Sequence, residues 1–140
     1  MPRSQLEAAI DLIASGDAKA GTFKVHTRTI NAPLSVSFTS APLDSQLIYI
    51  GETRNAAAEV VLHPTYEGTI EAHTAWFKAS LITRDDVEDP AGKDRKREVE
   101  VSNIGRDGFK GEVHWGKKSD DTPKGSVSLE TRLAPVTITL

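Results

Sequence analysis

The segment His63–His73, HPTYEGTIEAH, gathers two histidines and two glutamates. Glu71 and His73 are two apart, so on a strand they would share one face, as an acid–base pair or part of a metal site would require. The same spacing is equally that of solvated residues on the wet side of a sheet. The acidic run DDVED at 85–89 lacks the spaced ligands and internal glycine of a calcium loop. There is no Gly-x-Ser-x-Gly elbow, no phosphate-cradling glycine loop and no His-Glu-x-x-His. The absence of cysteine excludes disulfides, thiolate catalysis and cysteine-held zinc. These residues predict no metal, no cofactor and no enzyme, and leave binding as the chemistry to look for.

Three stretches offer binding groups. Arg54 and Asn55 set a guanidinium fork and an amide on adjacent, differently directed bonds, a pairing suited to vicinal hydroxyls or to a protein interface. In WFKASLIT, alternation assigns Phe77, Ala79 and Leu81 to a core face and turns Trp76 outward beside Lys78 and Ser80. An outward tryptophan beside polar donors suits sugar stacking or a subunit contact. In FKGEVHWG, Phe109, Gly111, Val113 and Trp115 alternate inward, and Lys110, Glu112 and His114 face out.

The elements that must position these groups read as strands. Two phrases are nearly the same, TINAPLSV from Thr29 and TRNAAAEV from Thr53, and a fainter TAWFKASL begins at Thr74. Asn, Ala and Pro favour bends, so the phrase marks a place where one strand hands over to the next. The spacings of 24 and 21 residues suggest successive strand pairs of a meander, and are too irregular and too few for a solenoid. FKVHT, LSVSF, QLIYIGE, REVEV, SVSLETRL and PVTITL alternate or run apolar as strands do. At the start, Ser4 and Glu7 have capping-box spacing, and Leu6, Ile10 and Ile13 share a helical face. They predict a short helix from Gln5 to Ser15 within a helical segment 1–20.

The fold class expected is therefore all-β: about ten strands in a sandwich of two antiparallel sheets, with a barrel second, forming one domain over residues 1–140. Val25, Val36, Phe38, Val60, Leu62, Phe77, Leu81, Val113 and Trp115 are the expected core, and truncating a buried Phe77 would cost ~3–5 kcal/mol. A net charge of −3 and a pI near 5.8 argue against capture of nucleic acid. The basic run KDRKR at 93–97 follows the acidic run closely, and the two read as a self-neutralising solvated loop. The opening MPRSQLEAAI has no apolar run of signal-peptide length, and no stretch reaches the ~20 residues of a membrane span. A soluble cytoplasmic protein without membrane insertion is expected.

Taken together, TINAPLSV, LHPTYEGTIEAHT, DPAGKDRKR and GFKGEVHWG resemble a family of agaricomycete (mushroom) proteins over residues 22–116. That family includes a fruiting-body lectin for fucose-containing glycans. The resemblance implies an antiparallel two-sheet sandwich, a homo-oligomer (a dimer or larger, such as a hexamer), a sugar site at the subunit interface and a cytoplasmic role in defence. It implies that Asn55 matches a sugar-binding Asn, that Arg54 stands where the lectin has His, and that His114 stands where it has Arg. The lectin's tryptophan falls at Asp94 in a gapless alignment, and Trp76 is its better chemical match. The alternative from a different class is a self-associating β module that binds no sugar.

Overall fold

A computed structural model describes residues 6–11, 22–40, 46–84, 87–90, 92–105, 107–116 and 125–140. Alternation over these residues becomes eleven strands: β1 (Leu6–Asp11), β2 (Thr22–Arg28), β3 (Leu34–Ser40), β4 (Gln46–Glu52), β5 (Ala58–Val61), β6 (Gly68–His73), β7 (Ala79–Ile82), β8 (Arg97–Gly105), β9 (Gly108–Trp115), β10 (Gly125–Glu130) and β11 (Val136–Thr139). They form a five-stranded sheet, β1-β3-β5-β11-β7, and a six-stranded sheet, β2-β4-β10-β6-β9-β8. The all-β expectation holds. The helix does not, because its described part is strand β1, which lies beside β3 with Leu6 opposite Leu34 and Ile10 opposite Phe38. Leu6 and Ile10 satisfy a period of two as well as one of four, and an isolated helix this short lacks the backbone partners that β3 supplies. The rest of the expected helical segment, residues 1–5 and 12–20, lies outside the described residues.

Strand direction is the second correction. Every pairing in the five-stranded sheet is parallel, as are β2–β4, β4–β10 and β10–β6. Antiparallel pairing occurs where β9 meets β6 and β8. The cause lies in the repeated phrases. They do not fold the chain back within one sheet; each carries it across to the other sheet. Thr29–Pro33 joins β2 to β3, Thr53–Ala57 joins β4 to β5, and Thr74–Lys78 joins β6 to β7. A fourth corner, Thr131–Pro135, joins β10 to β11 where alternation alone ran one strand on through Leu133.

The corners share one local device. The hydroxyl of Thr29 donates to Ala32 O at 2.6 Å, Thr53 donates to Ala56 O and Thr131 to Ala134 O. Each threonine thereby closes a turn onto the carbonyl three residues ahead. Thr74 instead reaches sideways to Ala134 O at 2.9 Å. Backbone bonds then stack the corners: Thr29 N to Glu52 O, Thr53 N to Glu130 O and Thr131 N to His73 O, each 2.9 Å. The result is four layers in the order 29–33, 53–57, 131–135 and 74–78. The 24- and 21-residue spacings are the lengths of whole layers, each a strand, a corner, a strand and a return.

Inward residues of both sheets meet in one buried cluster that includes Val36, Phe38, Tyr49, Val60, Leu62, Ile70, Val113, Leu129 and Ile138. Phe38 of β3 meets Tyr49 of β4 edge to face, with ring centroids 5.5 Å apart at 81°. Tyr49 passes over Gly51, where a Cβ would lie 2.6 Å from its hydroxyl oxygen, and that hydroxyl bonds Thr27 at 2.7 Å. Val25 and Leu81 pack half-buried against the cluster, and Trp115 is buried. Phe77 departs from expectation: it is 47% exposed because it stands on a corner, ahead of the first residue of β7. Its truncation therefore carries no core-sized penalty.

At the far end of the six-stranded sheet, Gly68 of β6 faces Gly125 of β10. A Cβ on Gly68 would lie 2.2 Å from the Gly125 carbonyl oxygen, and one on Gly125 would lie 2.8 Å from the Tyr66 ring. Tyr66 is buried beside this contact, and its hydroxyl donates to Thr69 O. Burial holds the phenols of Tyr66 and Tyr49 above their usual range; the Thr27 hydrogen bond offsets part of this for Tyr49. A raised folded-state pKa leaves stability intact below the unfolded phenol value of about 10 and removes it as pH climbs above that value. The protein is accordingly expected to unfold in strong alkali. Denaturant titrations at pH 9 and 11 should show the loss, and Tyr66→Phe should lessen it.

Candidate functional site

The stacked corners bring side chains into columns that no sequence order suggests. The residue before each corner threonine is Arg28, Glu52, Glu130 and His73 in successive layers, and the residue after it is Ile30, Arg54, Arg132 and Ala75. All eight line one groove of about 520 Å³ along the corner edge. Its middle two layers carry the same tripeptide, Glu52-Thr53-Arg54 and Glu130-Thr131-Arg132. Arg28 and His73 stand at the ends of the glutamate pair, and apolar Ile30 and Ala75 stand at the ends of the arginine pair.

Thr53, Thr74 and Thr131 are buried and Thr29 is half-buried, with their hydroxyls spent on corner carbonyls, whereas Arg54, Glu130 and Arg132 are exposed. Among the described residues, His26 Nε2 lies 3.6 Å from a Glu52 carboxylate oxygen, and an ion pair joins Arg95 to Asp89 at 2.8 Å. Neither Arg54, Arg132 nor Glu130 is in one. The groove therefore presents guanidinium donors and carboxylate acceptors, nearly balanced in charge, to whatever enters it. Such a set can exchange water for hydroxyl groups that both donate and accept.

The sequence-derived residues divide between two ends of the molecule. Arg54 lines the groove. Asn55 lies across the ridge in an adjoining hollow of about 650 Å³ with Ile30, Pro33, Ala57 and Pro135, and its amide donates to the Asn31 side-chain oxygen at 2.7 Å. Trp76 is on the last corner, 75% exposed, in a recess shared with Phe77, Lys78 and Asp107 that meets the groove at Ala75. His114 and Asp94 sit elsewhere. Val113 is opposite Gly68, at the start of β6, and the corner follows His73 at its end. Five strand residues, about 17 Å, therefore separate His114 from the corners. Its Nδ1 is engaged with Gly116 O at 2.8 Å. Asp94 is exposed with a φ of 54°, in the loop whose next residue, Arg95, approaches Trp115 O. Within one protomer, Arg54, Asn55 and His114 do not converge.

That far end answers the question of the opposed charge runs. Asp89, its side chain 1% exposed, takes the Arg95 fork at 2.8 and 3.1 Å and the Arg95 backbone N–H at 3.1 Å. Arg97 lies over the Trp115 ring at 5.7 Å and donates to Arg84 O at 2.8 Å. The loop's cations brace the chain there. Glu71 and His73 share the outward face of β6, as their spacing predicts. Burial lowers the pKa of His63, whose Nδ1 accepts from the Thr65 N–H at 3.2 Å.

Arg28, Glu52, Glu130 and Arg132 are the charged groove residues that motif reading missed. The available signal was the tripeptide Glu-Thr-Arg, present at 52 and again at 130, but an offset of 78 positions hid its meaning. No family model matches the chain, and comparisons with curated proteins and with solved structures return no match.

Proposed function

We propose that this chain is a carbohydrate-binding protein without catalytic activity, and that its sugar lies in the groove across the corners. The observation that carries the reading is the set Glu52, Arg54, Glu130 and Arg132, an open row of paired donors and acceptors with an exposed tryptophan beside it. Carboxylates accept from vicinal hydroxyls, guanidinium groups donate to ring and hydroxyl oxygens, and an aromatic face covers the apolar side of a pyranose. The two glutamates disfavour nucleic acid and other polyanions. The resemblance to the mushroom family makes fucosylated glycans the first to try. A single open site of this kind binds at about 1 mM, or −4 kcal/mol, so useful avidity needs several sites held together.

Arg132→Ala and Glu130→Gln are each expected to weaken glycan binding by roughly 10-fold or more, since each removes one partner of a ligand hydrogen bond. Folded stability should move by less than about 0.5 kcal/mol, because both side chains are exposed. A glycan array with thermal melting alongside reads both quantities. Unchanged binding in both variants, or loss only through unfolding, overturns the site.

A second reading is self-association, and one observation favours it. Strand β7 is an edge of the five-stranded sheet, and Trp76, Phe77 and Ile82 are exposed beside it. An unpaired edge flanked by apolar side chains invites a second chain. Under this reading the protein is a dimer or larger, and Trp76 lies at or near the contact. Native mass measurement at micromolar concentration should show the oligomer; a monomer there sinks this reading and leaves the groove untouched.

A further inference from the structure

We infer that the groove is built for a linear glycan lying along the stacking direction, two of whose consecutive rings occupy equivalent positions; this rests on the carbohydrate reading above. The copies of Glu-Thr-Arg are not merely near each other. Glu52 is the register partner of Glu130, Thr53 N bonds Glu130 O, and Leu133 N bonds Arg54 O, both at 2.9 Å. Identical backbone contexts repeat the two glutamates and the two arginines by a translation of one strand spacing, about 4.8 Å.

Stacking like charges in this way is unfavourable for the free protein. Among the described residues, Arg54, Arg132 and Glu130 have no ion-pair partner to relieve it. A ligand that offers the same hydroxyl pair twice, one step apart, hydrogen-bonds both columns at once. A terminal sugar offers its hydroxyls only once and engages one copy. Consecutive pyranose rings in an extended chain advance by roughly one strand spacing, and where the linkage keeps successive rings the same way up, as α-1,4 and β-1,3 linkages do and β-1,4 does not, each ring offers the same hydroxyls to one face. An extended peptide does not: its side chains on one face recur every two residues, about 6.7 Å, and fall out of step with the layers. Acidic polymers meet the glutamate column, and basic ones meet the arginine column. The neutral, linear glycan is what remains.

The ends of the groove set the ligand's length. Ile30 closes the arginine column at one end. At the other, the column stops at Ala75, and the next surface along the chain is the exposed ring of Trp76. Two rings occupy the duplicated tripeptides, and a third stacks on Trp76.

The test is calorimetric titration with malto- and laminari-oligosaccharide ladders of one to five rings, whose successive rings stay the same way up, with a fucosylated trisaccharide as the terminal-epitope probe. Expected is a rise in affinity of about tenfold per ring up to three rings, then a plateau, each ring adding hydrogen bonds of the ordinary net strength. Arg54→Ala and Arg132→Ala should each lower three-ring affinity about tenfold by the same reasoning, while single-ring binding loses one of two equivalent sites. Trp76→Ala should move the plateau to two rings. Circular dichroism confirms that each variant folds. Binding of the fucosylated probe with flat ladders would refute the linear ligand and keep the carbohydrate reading. Failure of the ladders and the probe alike would refute both.

Discussion

Gly68→Ala is expected to destabilise the protein by roughly 3–5 kcal/mol, the sum of a strained-backbone penalty and an overpacking penalty. The φ of 152° at Gly68 is one that residues with a Cβ rarely adopt. The added methyl would also stand 2.2 Å from the Gly125 carbonyl oxygen, which is backbone and cannot rotate aside. Relief by separating β6 from β10 would open the register that continues to Glu130 and His73. The variant should therefore lose corner geometry along with stability. Chemical denaturation reads the penalty, and a midpoint within experimental scatter of the parent would show that the two strands are not this close.

Tyr49→Ala is the second large effect, at about 3–5 kcal/mol, the usual cost of removing a buried aromatic. The side chain is fully buried, meets Phe38 edge to face and fills the space above Gly51. Tyr49→Phe separates the packing from the hydroxyl: keeping the ring and losing the Thr27 bond should cost only about 1 kcal/mol. Equal losses in the two variants would mean that the hydroxyl, not the ring, anchors β4 between the sheets.

Much of this fold was legible in the sequence, and the parts that were not share a cause. Alternation in LSVSF and FKGEVHWG assigns inward faces as observed, because side-chain direction follows the pleat whatever the partner. Partner direction leaves no such mark. Ser35 and Ser37 face out of a parallel sheet as they would face out of an antiparallel one, and only the destination of the TINAP corner decides which is formed. Leu6 and Ile10 fit either period for the same reason. At the site, Arg54 was legible as an arginine added to a repeated phrase. Its partners Glu130 and Arg132 were not, since the phrase TRLAPV had been absorbed into a strand. The count of corner copies, not the chemistry of any residue, was the missing information.

The insertion of β10 and β11 between earlier strands has a consequence for biosynthesis. When residues 22–116 have left the ribosome, β4 and β6 still lack the strand that lies between them, as do β5 and β7. Two part-built stacks, each with bare edges, must wait for the last described segment to slide between them. Pairing at that sequence distance is slow, and bare parallel edges in the interval are prone to capture by other chains. The same late wedge that places Arg132 beside Arg54 therefore makes the groove the last feature to form, so that nascent chains should need shielding until the wedge is in place.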